Sequence, residues 1–272
     1  MTMKLRSNYL RVQTPFESIF QGLSLEDLWS HPRLKLFKAK KDREIFTLEL
    51  EGCTFFVKRY YGPGVGPTKY MLRGFRDRYG PENEWQKAHF LRKLGIRAVN
   101  PVAFGIERSY RIIRRAMVIT LKLEGVRLED LLRQEPSLDK KISLVEKLAA
   151  FAGHFHRTGL SHQDFYLCHL FWSPQSREIY LIDLQRVRYH MGQNGQLRLN
   201  WIVKDLAQLD YSSRNVLTRD EYDRLKAIFI SVYRHYLPLI VEPRIINKIH
   251  KKVARISRHE QKLQGRATGK SQ

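Results

Sequence analysis

The segment His162–His169, which reads HQDFYLCH, constrains this chain more than any other stretch of its 272 residues. Asp164 stands two places after the first histidine, and the second histidine follows that aspartate by five places. Further along the chain, the apolar run Ile179–Ile182 ends at Asp183. A short apolar run of this kind is typical of a buried strand. The sequence therefore predicts a polar loop and a strand end that each present a carboxylate.

Carboxylates in this order match the layout of a kinase catalytic loop followed by its metal-binding aspartate. In phosphoryl transfer the first carboxylate orients the attacking hydroxyl and accepts its proton, and the second holds the Mg²⁺ that bridges the nucleotide phosphates. We therefore predict Asp164 as the catalytic base and Asp183 as a ligand of Mg²⁺. An aspartate in either position alone is commonly a turn or strand-end residue. The prediction consequently depends on their combination with the two histidines.

The two histidines of this loop have different expected roles. His162 is predicted to be structural and to fix the loop through a hydrogen bond with the backbone. His169 stands where kinases usually carry an asparagine that binds metal. A neutral imidazole can bind a divalent ion but suits Mg²⁺ less well than an oxygen ligand does. Two interpretations of His169 therefore stay level, a metal ligand and a buried structural histidine.

Lys58 is the candidate for contact with the nucleotide phosphates. It ends the apolar strand Phe55–Lys58, which is the position of the phosphate-pairing lysine in kinases. Its expected partner is a glutamate on the following helix, and Glu82 and Glu84 are the candidates. We prefer Glu84, because it precedes Trp85 on the helix face expected to meet the strands. The sequence has no G-x-G-x-x-G before Lys58 and no P-loop, so basic side chains or ordinary backbone amides would have to cover the phosphates.

The composition limits the class of protein. Apolar residues make up 43% of the chain, which is typical of a globular protein, and 272 residues suffice for one large domain or two small lobes. With only Cys53 and Cys168, a disulfide framework and a four-cysteine zinc site are excluded, and a reducing cytoplasm fits best. The first 21 residues have no apolar stretch, so we expect no signal peptide. No window approaches the length of a membrane span.

The net charge is the second unusual property of the sequence. The chain has 49 Lys and Arg against 27 Asp and Glu, which gives a formal charge of +22. Such a field attracts polyanions, namely nucleic acid, an anionic membrane leaflet, or a substrate rich in phosphate and carboxylate groups. Charge alone does not separate these three partners from a generally solvated basic surface.

Apolar periodicity predicts an α+β fold with strands first and helices afterwards. Strands are expected over 34–38, 45–50, 53–58, 102–105, 117–121 and 179–182, and helices over 82–94, 128–133, 138–158, 204–213, 219–236 and 243–263. We predict two lobes. Residues 1–120 form a small β-rich N-lobe with one main helix and the nucleotide-binding lysine. Residues 121–272 form a larger helical C-lobe with the catalytic loop, the metal-binding aspartate and a basic C-terminal helix.

With these motifs in place, the chain closely resembles the lipopolysaccharide core heptose kinase and Kdo kinase family, a branch of the protein-kinase-like fold. The resemblance is carried by the catalytic-loop stretch 162–171 and by Leu181–Val187, which reads LIDLQRV. Further similar stretches occur around Lys58, Glu84, 102–105 and 204–213, so that the resemblance spans roughly residues 14–263. Gln163 departs from the family pattern, where Arg is common, and leaves less positive charge beside Asp164.

This resemblance implies an enzyme that uses ATP and Mg²⁺ to phosphorylate a sugar hydroxyl of the lipopolysaccharide inner core, with heptose favoured. It also implies the same residue roles: Asp164 as base, Asp183 and His169 near metal, Lys58 on phosphate, and Glu84 as its partner. The implied partner is the lipid A-linked core oligosaccharide, with an anionic inner-membrane surface as a second candidate and nucleic acid disfavoured. The implied location is the cytoplasm or the cytoplasmic face of the inner membrane.

Two basic segments fit a polyanionic acceptor. The loop after Lys58 carries four cations that we expect to contact the acceptor, against the alternative of a solvated loop: Lys69, Arg73, Arg76 and Arg78. The tail Arg244–Lys270 has nine Lys and Arg and a single acidic residue, Glu260. Its apolar residues fall on one helical face. The tail is therefore interpreted either as a helix on an anionic leaflet or as a helix packed on the C-lobe with its basic face in water.

Four alternatives to a heptose kinase stay open at this point. A Kdo kinase has the same motifs. A protein kinase or a small-molecule kinase could use the same scaffold, although no A-P-E motif follows Asp183 and the stretch to Asp205 is short. A non-catalytic kinase-like protein that binds polyanions through its charge is the last alternative. The presence of Lys58, Asp164 and Asp183 argues against it.

Overall fold

A computed structural model of the chain describes residues 6–40, 43–61, 81–109, 112–190 and 199–268. The chain forms two compact units. The first comprises Met1–Glu124 with Asp183–Gln185, and the second comprises Gly125–Ile182 with Arg186–Gln272. Asp183, assigned from the sequence to the second lobe, therefore belongs to the first unit. The reason is local: its carboxylate faces Lys58, and the nearby Gln185 is hydrogen-bonded to Glu84.

The first unit contains a six-stranded antiparallel sheet in the order β1-β5-β6-β4-β3-β2. Its strands are β1 (Arg6–Val12), β2 (Lys35–Lys40), β3 (Arg43–Leu50), β4 (Cys53–Tyr61), β5 (Pro101–Ser109) and β6 (Ile112–Leu121). The helices of this unit are α1 (Leu25–Trp29) and α2 (Pro81–Lys93). Every strand pair in this sheet is antiparallel, which is why short turns suffice between β2, β3 and β4.

Strand alternation gives this sheet two different faces. On β4, Phe55 and Val57 are fully buried in a cluster with the segment that leads into α1, including Phe16 and Phe20. The other face carries Lys58 and Tyr60, and there Trp85 of α2 packs in the second apolar cluster. The alternation therefore directs the candidate lysine toward the side of the sheet that α2 covers.

The second unit is mainly helical. Its helices are α3 (Leu128–Gln134), α4 (Leu138–Arg157), α5 (Leu199–Arg214), α6 (Arg219–Tyr233) and α7 (Pro243–Thr268). Two small antiparallel sheets accompany them, one in the order β10-β9-β7 and one that pairs β11 with β8. The strands are β7 (Val126–Arg127), β8 (Leu160–Ser161), β9 (Leu170–Ser173), β10 (Glu178–Leu181) and β11 (Arg188–Tyr189).

Helix α4 delivers the chain to the catalytic-type loop. It begins after Ser137, whose side chain accepts a hydrogen bond from the amide of Lys140. Its apolar face buries Leu144, Leu148 and Phe155. The helix ends before Gly159, which has a φ of 81° and so takes the left-handed conformation that terminates many helices. Strand β8 and the loop follow at once.

The predicted α+β class is confirmed, and the predicted strands and helices are all present with shifted ends. Helix α5 starts five residues earlier than the periodicity indicated, at Leu199. Helix α1 and strands β1, β7, β8, β9 and β11 were not predicted from the sequence. No helix in the described part of the chain is both long enough and apolar enough to cross a membrane.

Candidate active site

The loop after β8 is held by a buried carboxylate of helix α5. Asp205 is fully buried and accepts hydrogen bonds from the backbone amides of His162, at 2.6 Å, and Gln163, at 2.7 Å. Its Oδ2 also lies 3.4 Å from Nε2 of His156. Gln163 has a φ of 66°, which is uncommon for a residue other than glycine. The two amide bonds to one carboxylate stabilise this local conformation.

Two further side chains of α5 bind the same loop. Gln208 accepts a hydrogen bond from the amide of Phe165 and donates one to the carbonyl oxygen of Gln163, both at 3.0 Å. Ser212 accepts from the amide of Leu167 at 3.1 Å. Positions 205, 208 and 212 lie on one face of a helix because they are three and four residues apart. One helix face thus accepts hydrogen bonds from four of the eight backbone amides of the segment 162–169.

The side chain of Asp164 is presented from this fixed loop. Its carboxylate is about three-quarters buried, and Nη1 of Arg186 donates to both of its oxygens, at 2.7 and 2.9 Å. The side chain of Arg186 is itself about half exposed. Charge-assisted hydrogen bonds of this kind are stronger than neutral ones. The arrangement fixes the orientation of a carboxylate that solvent can reach.

Positive charge around Asp164 comes from outside the loop. The segment 162–169 contains no Lys or Arg, in line with the neutral residue noted at Gln163. Burial, followed by the charge of Arg186, lowers the pKa of the Lys204 ammonium, while the carboxylates of Asp164 and Asp205 act in the opposite direction. The positive charge near Asp164 is therefore supplied by Arg186, which contacts its carboxylate, and by Lys204, which interacts with it electrostatically. A basic residue at position 163 is not needed for this purpose.

The two histidines connect the loop to the end of β10. His162 Nε2 lies 2.9 Å from the carbonyl oxygen of Ile182, and the amide of Ile182 donates to the carbonyl oxygen of His169 at 3.1 Å. His169 Nδ1 lies 2.7 Å from the backbone oxygen of Asp164. Since a carbonyl can only accept, the proton sits on Nδ1 of His169. A ligating histidine is typically oriented in this way through its other nitrogen, and a structural histidine would make the same bond.

A second cluster of charged and polar side chains lies in the first unit. Lys58 Nζ is 2.6 Å from Oε1 of Glu84 and 3.9 Å from Oδ1 of Asp183. Glu84 is only 1% exposed, and its second oxygen accepts hydrogen bonds from Tyr60, at 3.1 Å, and from Gln185, at 3.2 Å. The ion pair thus forms with Glu84. Glu82, the other candidate, is 3.6 Å from Arg108.

Gln185 completes this cluster. Its amide nitrogen also donates to the Tyr60 hydroxyl, its amide oxygen accepts from Arg43 at 2.8 Å, and its backbone oxygen accepts from Lys87. Burial and the Glu84 carboxylate raise the pKa of the Tyr60 hydroxyl well above its usual value. Tyr60 therefore stays protonated as a hydrogen-bond donor. The buried Glu84 carboxylate is satisfied from three sides, which holds Lys58 in place.

Asp183 has an unusual backbone conformation. Its φ is 54°, in the left-handed region, and its side chain is about one-third exposed. Aspartate tolerates this conformation better than most residues. Within the described residues, no three or more His, Cys, Asp or Glu side chains are grouped so that they could hold a metal ion by themselves.

The structure thus brings the predicted site residues together in two groups. Lys58, Glu84 and Asp183 meet in the first unit, and Asp164 and His169 meet in the second. The four predicted acceptor-binding cations lie outside the described residues: Lys69, Arg73, Arg76 and Arg78. The sequence motifs assigned no role to several residues that contact the candidate site residues: Tyr60, Gln185, Arg186, Asp205 and Gln208. The sequence did point to two of them, because Gln185 and Arg186 directly follow the LIDL stretch that contains Asp183.

The fold has solved counterparts. The structure entitled "WaaP in complex with acyl carrier protein" matches 91% of this chain and 98% of its own length with a TM-score of 0.67, at 24% sequence identity. The antiparallel sheet with a lysine–glutamate pair, followed by a helical unit with an aspartate loop, is the protein-kinase-like fold. The class of fold defined by these elements is accordingly that of the protein kinases.

Sequence comparisons give the family. The model of the lipopolysaccharide kinase (Kdo/WaaP) family matches residues 69–233. The lipopolysaccharide core heptose(I) kinase WaaP of Pseudomonas aeruginosa is 27% identical over 237 residues, covering 82% of this chain and 85% of that protein. The enzyme of the same name from Escherichia coli K12 is also 27% identical, covering 84% and 89%. The chain belongs to the lipopolysaccharide kinase (Kdo/WaaP) family.

Removing the loop anchor tests whether α5 positions the catalytic loop. Asp205→Asn leaves one of two buried amides without its charged acceptor, so we expect a fall in kcat of about 100-fold, the scale of a misplacement near 1 Å, and reduced stability. Asp210→Asn is the matched control, because Asp210 is also a largely buried carboxylate of α5 but bonds Arg214, Tyr222 and Lys226 instead of the loop. Steady-state kinetics and urea unfolding measure both effects. An equal kcat loss in the two variants would contradict the anchoring role.

Arg186 is expected to position the carboxylate of Asp164. Arg186→Ala should lower kcat by roughly 100-fold with little change in the KM for ATP, because an interaction that matters only during transfer affects kcat. Arg186→Lys should recover part of the activity, and added guanidinium ion should partly rescue the alanine variant. Arg219→Ala serves as control, since Arg219 is an exposed arginine paired with Asp223 on α6. A kcat unchanged in Arg186→Ala, or a loss that appears only in KM, would exclude this role.

Proposed function

We propose that this kinase transfers the γ-phosphate of ATP to a heptose hydroxyl of the lipopolysaccharide inner core. The observation that carries the proposal is the rigidly anchored loop that presents Asp164 with Arg186 on both of its carboxylate oxygens. Heptose is favoured as the acceptor because the curated relatives are named core heptose(I) kinases. A net charge of +22 suits an acceptor that carries phosphate and carboxylate groups.

Asp164 acts as the general base in this proposal. Its carboxylate accepts the proton of the acceptor hydroxyl as the oxygen attacks the γ-phosphorus, and ADP leaves with the pair of electrons from the broken bond. Arg186 keeps the carboxylate in one orientation through its two hydrogen bonds. A base held in one orientation avoids the entropic cost of ordering it during the reaction.

Lys58 binds the phosphates of ATP. It is oriented by Glu84, which is itself held by Tyr60 and Gln185. Such a lysine neutralises phosphate charge, and its paired glutamate prevents it from moving into solvent. Because neither a G-x-G-x-x-G sequence nor a P-loop is present, this cation has a larger share of phosphate binding than in kinases with a glycine-rich cover.

The donor set fits Mg²⁺ as the metal. Mg²⁺ is commonly bound through one or two carboxylates together with substrate phosphates and waters, so a complete protein cage is not required. Asp183 would hold it, and His169 is a second candidate through Nε2, because its Nδ1 is engaged with the Asp164 carbonyl. When bound, the ion would neutralise charge on the transferred phosphate.

Cellular location follows from the acceptor. A lipid A-linked core oligosaccharide would be phosphorylated where ATP is available, which favours the cytoplasm and the cytoplasmic face of the inner membrane. The free cysteines Cys53 and Cys168 are compatible with a reducing compartment.

The proposal is tested by transfer of labelled phosphate from ATP to two purified acceptors. One is heptose-containing inner-core oligosaccharide, and the other is a core that ends at Kdo. The wild-type chain should label the first acceptor only. Asp164→Ala should reduce transfer by at least about 1,000-fold while ATP binding, measured by calorimetry, changes little.

The matched control is Asp130→Ala, because Asp130 lies on α3 in an exposed ion pair with Arg127. It should retain near-normal transfer. Labelling of the Kdo-terminated core would favour a Kdo kinase instead. Binding of ATP without transfer to either acceptor would support a non-catalytic kinase-like protein, and near-normal turnover by Asp164→Ala would show that the base is another residue.

A further inference from the structure

Helix α7 carries a straight row of six exposed cations. This row, the basic stripe, consists of Arg244, Lys248, Lys251, Arg255, Arg258 and Lys262. Their spacing alternates between four and three residues, which keeps them within a sector of about 80° around the helix axis. At 1.5 Å per residue the row is about 27 Å long. The helix therefore presents a continuous cationic edge to solvent.

The opposite face of α7 is already used for packing. Ile245 and Val253 are buried, and Ile249 and Ile256 on the same face are partly buried. The helix packs along α5. Glu260, the single acidic residue of α7, also lies on this side. Because its apolar face is occupied, α7 cannot insert that face into a bilayer as an interfacial amphipathic helix does.

Most charges of the basic stripe are not compensated within the described part of the protein. Arg244 forms an ion pair with Glu242, and Arg258 donates to the carbonyl oxygen of Ala254 at 3.2 Å. The remaining four have no carboxylate within ion-pairing distance among the described residues: Lys248, Lys251, Arg255 and Lys262. Like charges three and four residues apart destabilise a helix by a few tenths of a kcal/mol per pair. An external polyanion would relieve this repulsion.

We propose that the basic stripe docks this kinase on the surface of an anionic phospholipid bilayer. A straight row of cations on one face fits a flat array of lipid phosphates, and each Lys or Arg near such a surface contributes about 1 kcal/mol. Since the apolar face of α7 that contains Ile245 and Val253 is packed against α5, the attachment is electrostatic and sensitive to salt. The inference relies on the proposed function, because a lipid-anchored acceptor is what makes docking at a bilayer useful.

Nucleic acid is the competing polyanion, and the helix lacks the side chains that usually accompany it. Single-stranded nucleic acid is bound through aromatic side chains on which bases stack, in addition to a cationic groove. Helix α7 contains no Phe, Tyr or Trp. The basic stripe can therefore bind phosphate groups by charge but offers no aromatic ring for stacking with bases. This favours the phosphate surface of a bilayer over nucleic acid.

The test is co-flotation of the full-length protein with vesicles of phosphatidylglycerol and phosphatidylethanolamine, and with vesicles of phosphatidylcholine. The stripe variant is Lys248→Glu/Lys251→Glu/Arg255→Glu. The matched control is Lys93→Glu/Arg224→Glu/Arg234→Glu, which reverses three exposed cations elsewhere and has the same net charge. All six positions are exposed, so circular dichroism melts should be unchanged.

Wild type and control should bind the anionic vesicles only, and binding should be lost at roughly 0.5 M salt. The stripe variant should bind about 100-fold more weakly.

Three results would overturn the proposal. The first is wild-type protein that does not float with anionic vesicles. The second is an equal loss in stripe and control variants, which would assign binding to the overall charge. The third is tighter binding of the stripe to an oligonucleotide than to anionic vesicles. Turnover on water-soluble core oligosaccharide is measured in parallel: the stripe variant should retain it, and its absence in wild type would count against the proposed function and not against docking.

Discussion

The catalytic loop depends on one face of helix α5. An irregular loop that is buried must find partners for its backbone amides, and each amide left without one costs about 1–3 kcal/mol. Asp205 binds the amides of His162 and Gln163, Gln208 binds that of Phe165, and Ser212 binds that of Leu167. The left-handed conformation at Gln163 persists under these bonds. The orientation of Asp164 follows from the conformation of its neighbours.

The segment Ile182–Arg186 contains residues that contact each of the two groups of candidate site residues. The carbonyl of Ile182 is bonded to His162, and Arg186 binds the carboxylate of Asp164. Between them, Asp183 faces Lys58 and Gln185 bonds to Glu84 in the first unit. A few consecutive residues therefore contribute to both groups of candidate site residues. This explains why the LIDLQR stretch is as informative as the catalytic loop itself.

The sequence allowed prediction of the parts of this site that depend on local pattern. The position of Lys58 at the end of an apolar strand and that of Glu84 before Trp85 led to the pairing of these two residues, and the HQDFYLCH motif led to Asp164. The partnership of the loop with Asp205 was not predictable, because it joins residues more than 40 positions apart through tertiary packing. The contact of Arg186 with Asp164 likewise depends on the path of the chain after β10. The roles of all these residues stay predictions until they are tested.

Tertiary packing that local sequence pattern does not reveal also determines the structure of the two end regions, β1 and α7. Strand β1 was missed because Arg6–Val12 mixes polar and apolar residues at an edge of the sheet, where pairing with β5 stabilises it. The periodicity of α7 identified its apolar face but left open whether that face meets lipid or protein. In the structure this apolar face packs against α5, so it meets protein and not lipid. The charged face remains exposed to solvent.

The central claim is that this kinase adds a phosphate to heptose of the lipopolysaccharide core through Asp164. The most direct measurement is mass spectrometry of core oligosaccharide from cells that lack the chain, complemented with either wild type or Asp164→Ala. We expect one phosphate to be missing from a heptose, wild type to restore it, and Asp164→Ala to leave it missing. An unchanged core, a phosphate missing from Kdo instead, or restoration by Asp164→Ala would contradict this claim.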